Sequence, residues 1–326
     1  MTAHDTSSSL RTTPASWSFT GESGAQGFVS QLGEGPVHWV RWGSTGAADA
    51  DPLLLVHGLG GSHLNWNLVA PEWAKDRAVF AVDLRGFGMS PGFPQPTSVL
   101  SNRDLVIDVI EQVIGRPVVL VGNSMGGLIS TLVSQRRPDL VRATVLIDPA
   151  LPLVAAKPDP LVAAQFGLFA IPGVAERAMR RNRLRVSPEV LATQLMRLCF
   201  ADPTRMDPAM HKEAVALATA RAADPHQGNL ERGFTAAARS LLLLLGRPRR
   251  YRRLLAELKP PILLIQGDQD RLVHVAAARR VARDNPHWRY VELAGVGHTP
   301  QLEVPDVTSR IVSEWFTDVL ASESSP

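Results

Sequence analysis

The sequence predicts an α/β protein: a mostly parallel central sheet with helices on both faces and an inserted, mainly helical cap. Three observations predict it. Short apolar runs alternate with helical stretches as far as residue 149. From Pro149 to Gly246 there are helical stretches and many prolines, and no clear strand. The strand–helix rhythm then resumes at Pro261. Both flanking parts are needed to complete one sheet, so the expected division is a disordered leader (1–16), a discontinuous core (17–149 and 247–326) and a cap (150–246).

Each element has its own signal. Met1 to Ser16 is polar and rich in Ser and Thr, which suits a leader without structure. Gly27 to Gly33 and Val37 to Trp42 flank Gly-Glu-Gly-Pro and read as an antiparallel hairpin. Leu53 to His57 and Ala78 to Val82 are short apolar runs that fit buried strands. Between them, Leu64 to Lys75 is helical and interrupted by Pro71. Val99 to Ile114 repeats apolar residues at helical spacing. Pro117 to Val121 is a strand, Met125 to Arg136 a helix and Arg142 to Ile147 a strand. The last four elements are Pro261 to Gln266, Val275 to Arg283, Trp288 to Leu293 and Val304 to Leu320.

Composition narrows the function classes. The net charge of +3 gives no support to a nucleic-acid partner. Charge is uneven, however: residues 151–250 hold 15 Lys or Arg against 8 Asp or Glu. Within them Arg180, Arg181, Arg183 and Arg185 form a cluster, expected to be a solvated helix face, with contact to an anionic substrate or membrane surface as the alternative. Cys199 is the only cysteine, so no intrachain disulfide forms. The N-terminus lacks the apolar stretch of a signal peptide, and Leu241 to Leu245 is too short to cross a bilayer. A cytoplasmic location is the expectation.

The chemistry concentrates in Val118-Val-Leu-Val-Gly-Asn-Ser-Met-Gly-Gly127. A strand, a G-x-S-x-G turn and a helix follow one another, which is the context a nucleophile elbow requires. Gly122 and Gly126 keep the strand–helix crossing free of side chains, and Ser124 projects its hydroxyl above the sheet edge. A tetrahedral intermediate needs two backbone N–H donors. The candidates are Met125, next after the serine, and Leu59, in the glycine-rich turn His57-Gly-Leu-Gly-Gly61. That turn is not a dinucleotide loop: His63 stands where G-x-G-x-x-G needs its third glycine. His57 is expected to be a structural residue of the turn.

A serine hydroxyl needs a base, and the base needs an orienting carboxylate. In such an elbow the chain order is Ser, acid, His. Five histidines follow Ser124: His211, His226, His274, His287 and His298. Only His298 lies in a glycine-rich loop after a core strand. For the acid, Asp270 ends a strand in a polar turn, and Asp148, at the end of the preceding core strand, is the alternative. No metal or organic cofactor is expected, since the histidines lack ligand spacing.

With these residues in view the chain resembles the α/β-hydrolase superfamily, in the serine-nucleophile branch with a helical cap. The matching stretches are His57-Gly-Leu-Gly-Gly61, Asp83-Leu-Arg-Gly-Phe-Gly-Met-Ser90, Gly122-Asn-Ser-Met-Gly-Gly127, Gly267-Asp-Gln-Asp270 and Gly297-His-Thr-Pro-Gln-Leu-Glu-Val-Pro305. The resemblance implies Ser124 as nucleophile, Asp270 as acid, His298 as base, and Leu59 and Met125 as oxyanion donors. Asp83 and Arg85 would brace the loop after their strand. Dehalogenases and epoxide hydrolases of the superfamily use an aspartate where Ser124 stands.

The resemblance points to an esterase or lipase acting on an apolar small molecule or lipid. The Gly-Asn-Ser-Met-Gly-Gly form is shared with carbon–carbon hydrolases of ring-cleavage products, the alternative. Those usually carry a longer oxyanion loop and a Trp after the histidine; here Thr299 follows His298. A non-catalytic binding member would be expected to lack a triad residue. The cap would roof the pocket, with Leu161, Phe166, Leu168, Phe169, Ile171, Leu195, Leu198, Phe200 and Leu241 supplying its own core and part of the pocket lining. Peripheral membrane contact, where present, would run through the cap.

Overall fold

The computed structural model describes residues 10–15, 23–43, 50–92, 94–152, 164, 167–169, 171, 173–223 and 230–323, with side chains through 319. Nine strands form one sheet. They are β1 (Thr12–Pro14), β2 (Gln26–Leu32), β3 (Gly35–Trp42), β4 (Leu53–Val56), β5 (Val79–Val82), β6 (Val118–Asn123), β7 (Val141–Ile147), β8 (Ile262–Gly267) and β9 (Arg289–Leu293). Their order across the sheet is β1-β2-β3-β5-β4-β6-β7-β8-β9. The pairs from β1 through β3 to β5 are antiparallel and all others are parallel.

The parallel strands are apolar on both faces because both faces are covered. Alternate residues divide the core in two. Leu54, Val56, Val82, Leu120, Leu146 and Leu264 point to one face, against Leu105 and Ile110 and against Leu128 and Ile129 of the helix Met125–Arg136. Leu53, Leu55, Ala81, Val121, Val145 and Ile265 point to the other, against Trp66, Trp73, Val312 and Trp315. Pro71 lies in the first turn of the short helix Ala70–Trp73, where its missing N–H has no intrahelical partner to lose.

Two elements differ from expectation. Thr12–Pro14, assigned to the disordered leader, pair with Phe28–Ser30 as an edge strand. All three residues are exposed, and the side-chain contact across the pair, Thr12 Oγ1 with Ser30 Oγ at 2.7 Å, is polar, so no hydrophobic pattern is left to read. Pro14 is tolerated because an edge strand needs fewer donors. The helix Pro248–Ala256 is also unforeseen: only Tyr251 and Leu255 are buried among its arginines.

The insertion contains the helices Val174–Arg183, Pro188–Cys199, Pro208–Ala223 and Leu230–Leu245. The first lies on the fourth, and the second on the third. Arg183 turns inward to pair with Glu231 at 2.7 Å, whereas Arg180, Arg181 and Arg185 are exposed. Leu161 and Phe166 lie outside the described residues. Among the described residues no helix is long and apolar enough to cross a membrane.

The crossing of β6 with its following helix sets the site, and it depends on glycine. A Cβ on Gly126 would stand 2.6 Å from the backbone oxygen of His57, and one on Gly122 would stand 2.6 Å from Ser130 Oγ. Backbone cannot yield there as a flexible side chain would. Gly126→Ala is therefore expected to cost about 3 kcal/mol or more, read as a lowered midpoint in urea; a change below about 1 kcal/mol would contradict the crossing geometry.

Candidate active site

Ser124 sits between β6 and the helix Met125–Arg136 with φ 55° and ψ −120°. For a residue with a side chain this is a strained conformation. The neighbours hold it at both ends: Ser124 N–H donates to Ile147 O at 3.1 Å, and Ala150 N–H donates to Ser124 O at 2.9 Å. The glycine-rich turn after β4 lies directly alongside, since a Cβ on Gly58 would come within 2.9 Å of Ser124 Cβ. Gly61 N–H closes that turn on Gly58 O at 3.1 Å, with Gly60 at φ 79°. The turn's own hydrogen bond makes no use of the Leu59 N–H. Met125 opens the helix, where an N–H has no intrahelical acceptor. Leu59 thus follows the glycine that abuts Ser124, and Met125 follows Ser124 itself.

His298 and Asp270 are buried together, with His298 Nδ1 donating to Asp270 Oδ2 at 2.7 Å. This leaves Nε2 as the ring's reactive nitrogen. The backbone of His298 is fixed on both sides: its N–H donates to Cys199 O at 2.6 Å, and its carbonyl accepts from Asn123 Nδ2 at 3.0 Å. Asn123 is the residue before Ser124, and the same amide also reaches Ile147 O at 3.0 Å. A side chain next to the candidate nucleophile therefore ties down the loop of the candidate base.

The two candidate acids are treated differently by their surroundings. Asp270 Oδ1 accepts the N–H groups of Leu272 and Val273, at 2.8 and 2.9 Å. Burial would raise its pKa, but the charge and hydrogen bond of His298 outweigh that and hold it below the usual carboxylate range. Asp148 has φ 43° and meets Gly267 N–H at 2.9 Å and Gln266 Nε2 at 2.7 Å through one oxygen. Burial, and then the charge of Asp270, push its carboxyl well above the ordinary value. Gln266 Nε2 also donates to Asp270 at 3.0 Å, bridging the pair. The histidine's hydrogen bond goes to Asp270.

His57 is buried and neutral. Leu84 N–H donates to its Nε2 at 3.0 Å, so Nδ1 carries the hydrogen shared with Gly58 O at 2.7 Å. Burial lowers its pKa to about 4. Asp83 accepts from the backbone N–H of His63 and of Met89, each at 2.7 Å, and from His38 Nδ1 at 2.8 Å. Burial opposes its ionisation, yet His63 and His38 hold it well below the usual range. Arg85 donates to Leu32 O at 3.0 Å, bracing the loop against the hairpin. Among the described residues, two sets, His38–His63–Asp83 and Asp148–Asp270–His298, gather ligand-type atoms within 4.8 Å. In these sets Asp83, Asp270 and one oxygen of Asp148 already accept hydrogen bonds from the donors named above.

Sequence reasoning missed Asn123, Gln266 and Glu303. Gln266 was visible as the one polar residue in Ile-Leu-Leu-Ile-Gln, and Asn123 stood inside the elbow motif. A polar side chain ending a fully buried strand is a usable signal.

The two acids make opposite predictions. Asp270→Asn removes the charge that orients the imidazole, and kcat is expected to fall about 10⁴-fold. Asp148→Asn keeps an acceptor for Gly267 and Gln266 and is expected to retain most activity. The native chain holds the Asp148 proton above pH about 4, where the unfolded chain releases it. Native Asp148 thus binds more protons than unfolded, so its contribution to stability falls as pH rises through that window. Thermal melts should show Asp148→Asn gaining on the wild type from pH 4 to pH 8; a loss over that range would contradict the assignment.

Comparison with known proteins matches residues 53–311 to the alpha/beta hydrolase family. The chain is 28% identical over 297 residues to the dihydrolipoyllysine-residue acetyltransferase component of the acetoin cleaving system of Pseudomonas putida, covering 90% of this chain and 71% of that protein. It is 33% identical over 144 residues to the human (lyso)-N-acylphosphatidylethanolamine lipase, covering 43% of this chain and 42% of the lipase. In structure it is similar to the 2-hydroxy-6-oxo-6-phenylhexa-2,4-dienoate hydrolase of Rhodococcus sp. strain RHA1, with TM-score 0.68, 22% identity, and coverage of 94% and 99% of the two chains. With a family match over most of its length and this sheet order, the chain belongs to the alpha/beta hydrolase family.

Proposed function

We propose that the chain hydrolyses a carboxylic ester of a largely apolar small molecule or lipid through an acyl-enzyme intermediate. The observation that carries this reading is the fixation of the buried His298–Asp270 pair by Asn123, the residue before Ser124. Ser124 Oγ attacks the ester carbonyl as His298 Nε2 takes its proton. Asp270 keeps Nδ1 protonated and stabilises the imidazolium. The N–H groups of Leu59 and Met125 receive the developing oxyanion, where preorganised donors commonly contribute about 10²–10³-fold each. His298 then protonates the departing alcohol. Water, deprotonated by the same nitrogen, releases the acid and restores Ser124.

An apolar wall above the glycine turn supports an apolar substrate. A Cβ on Gly60 would lie 3.2 Å from Phe234 Cε2 and 3.9 Å from Leu195 Cδ2, so the cap presses on the turn with hydrocarbon. The Phe234 ring stands 5.4 Å from Phe169 and 6.2 Å from Phe87, both buried. Apolar side chains of this kind take alkyl or aryl groups by area burial rather than by hydrogen bonding. The relative named as a lipase acts on an acylated lipid by its name, in keeping with this class.

A panel of p-nitrophenyl esters of graded chain length, run beside a vinylogous diketone, tests the proposal. kcat/KM is expected to climb about fourfold per methylene over the first few carbons, as each buried methylene contributes about 0.8 kcal/mol. Phe234→Ala should flatten that slope. Turnover of the diketone above every ester would replace ester hydrolysis with carbon–carbon bond cleavage.

A further inference from the structure

One buried carboxylate has no part in the proposed reaction. Glu303 closes the short helix Pro300–Glu303, on the same loop system as His298, and is 3% exposed. Its Oε2 accepts the N–H of Gly297 at 2.8 Å and the N–H of Ala201 at 3.1 Å. Its Oε1 accepts the N–H of Asp202 at 2.9 Å, with Arg205 Nη1 at 3.4 Å. Gly297 belongs to the loop that carries His298. Ala201 and Asp202 belong to the cap, just past the helix Pro188–Cys199. One carboxylate therefore holds backbone from both parts of the molecule.

A second bond crosses the same seam, from His298 N–H to Cys199 O at 2.6 Å. The approach is possible because residue 297 is glycine: a Cβ there would stand 2.6 Å from Ala201 N. Hydrogen bonds to an ionised acceptor are about twice as strong as neutral ones. A buried carboxylate that lost one of these donors would face a large desolvation cost. The seam is thus built to stay closed.

We infer that Glu303 is the positioning residue that sets His298 through the cap: Cys199–Asp202 and Gly297–His298 move as one unit, locked by this carboxylate. The inference rests on His298 being the base. It gives the cap a direct mechanical link to the catalytic loop, distinct from any role in roofing the pocket. Among the described residues, the titratable groups around His298 are Asp270 and Asp148 from the sheet, Cys199 from the cap, and Glu303. The field of Glu303 reaches this cluster. Burial first, then Asp270, Asp148 and Glu303 in turn, push the Cys199 thiol up to about 12.

Glu303→Gln tests the inference, because it keeps the shape but turns one acceptor into a donor that faces a backbone N–H. The rate constant for fluorophosphonate modification of Ser124 is expected to fall at least about tenfold, as for a small misplacement of a reacting group. Loss should appear in kcat more than in KM. A brace with no effect on the base would reduce the folded fraction alone, leaving kcat and KM per labelled site unmoved, and that result overturns the inference. Hydrogen exchange on the wild-type chain gives a reading that needs no variant. Peptides covering 199–203 and 295–299 should exchange within about threefold of each other, as one cooperative unit. Cap exchange more than about tenfold faster than loop exchange also overturns it. His298→Ala labelled at Ser124 at the wild-type rate would instead remove the base assignment on which the inference stands.

Discussion

A backbone crossing governs this molecule. β6 must pass into its helix with no side chain between them and the end of β4, and Gly122 and Gly126 allow that contact. The crossing holds Ser124 at φ 55°, a conformation that costs of order 1–3 kcal/mol for a residue with a side chain. That strain is sustained because both faces of the sheet are covered by buried apolar side chains, so the sheet cannot relax around it. The serine is consequently aimed by the fold, and the helix N-terminus and the glycine turn fall beside it by the same geometry.

The second constraint is electrostatic. Two carboxyl groups lie in one buried cluster with one imidazole. Both cannot carry charge there without a partner. Asp270 has four donors directed at its two oxygens, from Leu272, Val273, Gln266 and His298. Asp148 shares Gln266 and adds only Gly267. The charge and hydrogen bond of His298, with the backbone donors, keep Asp270 ionised, and burial beside that charge keeps Asp148 protonated. Asp148, at φ 43°, is a second strained residue in the same place, and its neutral carboxyl lets the cluster close without a second buried charge.

How legible this was in the sequence depended on the kind of contact. β4 to β8 were readable because burial on both faces leaves continuous runs such as Leu53-Leu-Leu-Val56 and Ile262-Leu-Leu-Ile265. The elbow was readable because its glycines have a steric purpose. Asp270 and Asp148 could be ranked only by strand-end position, since their donors come from backbone and from Gln266. Thr12–Pro14 left no trace, pairing through backbone and one hydroxyl contact with no apolar burial. Helix Pro248–Ala256 was hidden because two buried residues, Tyr251 and Leu255, make a weak stripe among arginines. Glu303 could not be read at all, since two of its partners, the main-chain N–H groups of Ala201 and Asp202, lie about a hundred positions away.

The site of covalent modification by a fluorophosphonate, located by peptide mass mapping, tests the central claim most directly. The account predicts a single adduct on Ser124 in the native protein, absent after heat denaturation and suppressed by His298→Ala. A native protein that takes no adduct, or takes it on another residue, would contradict it.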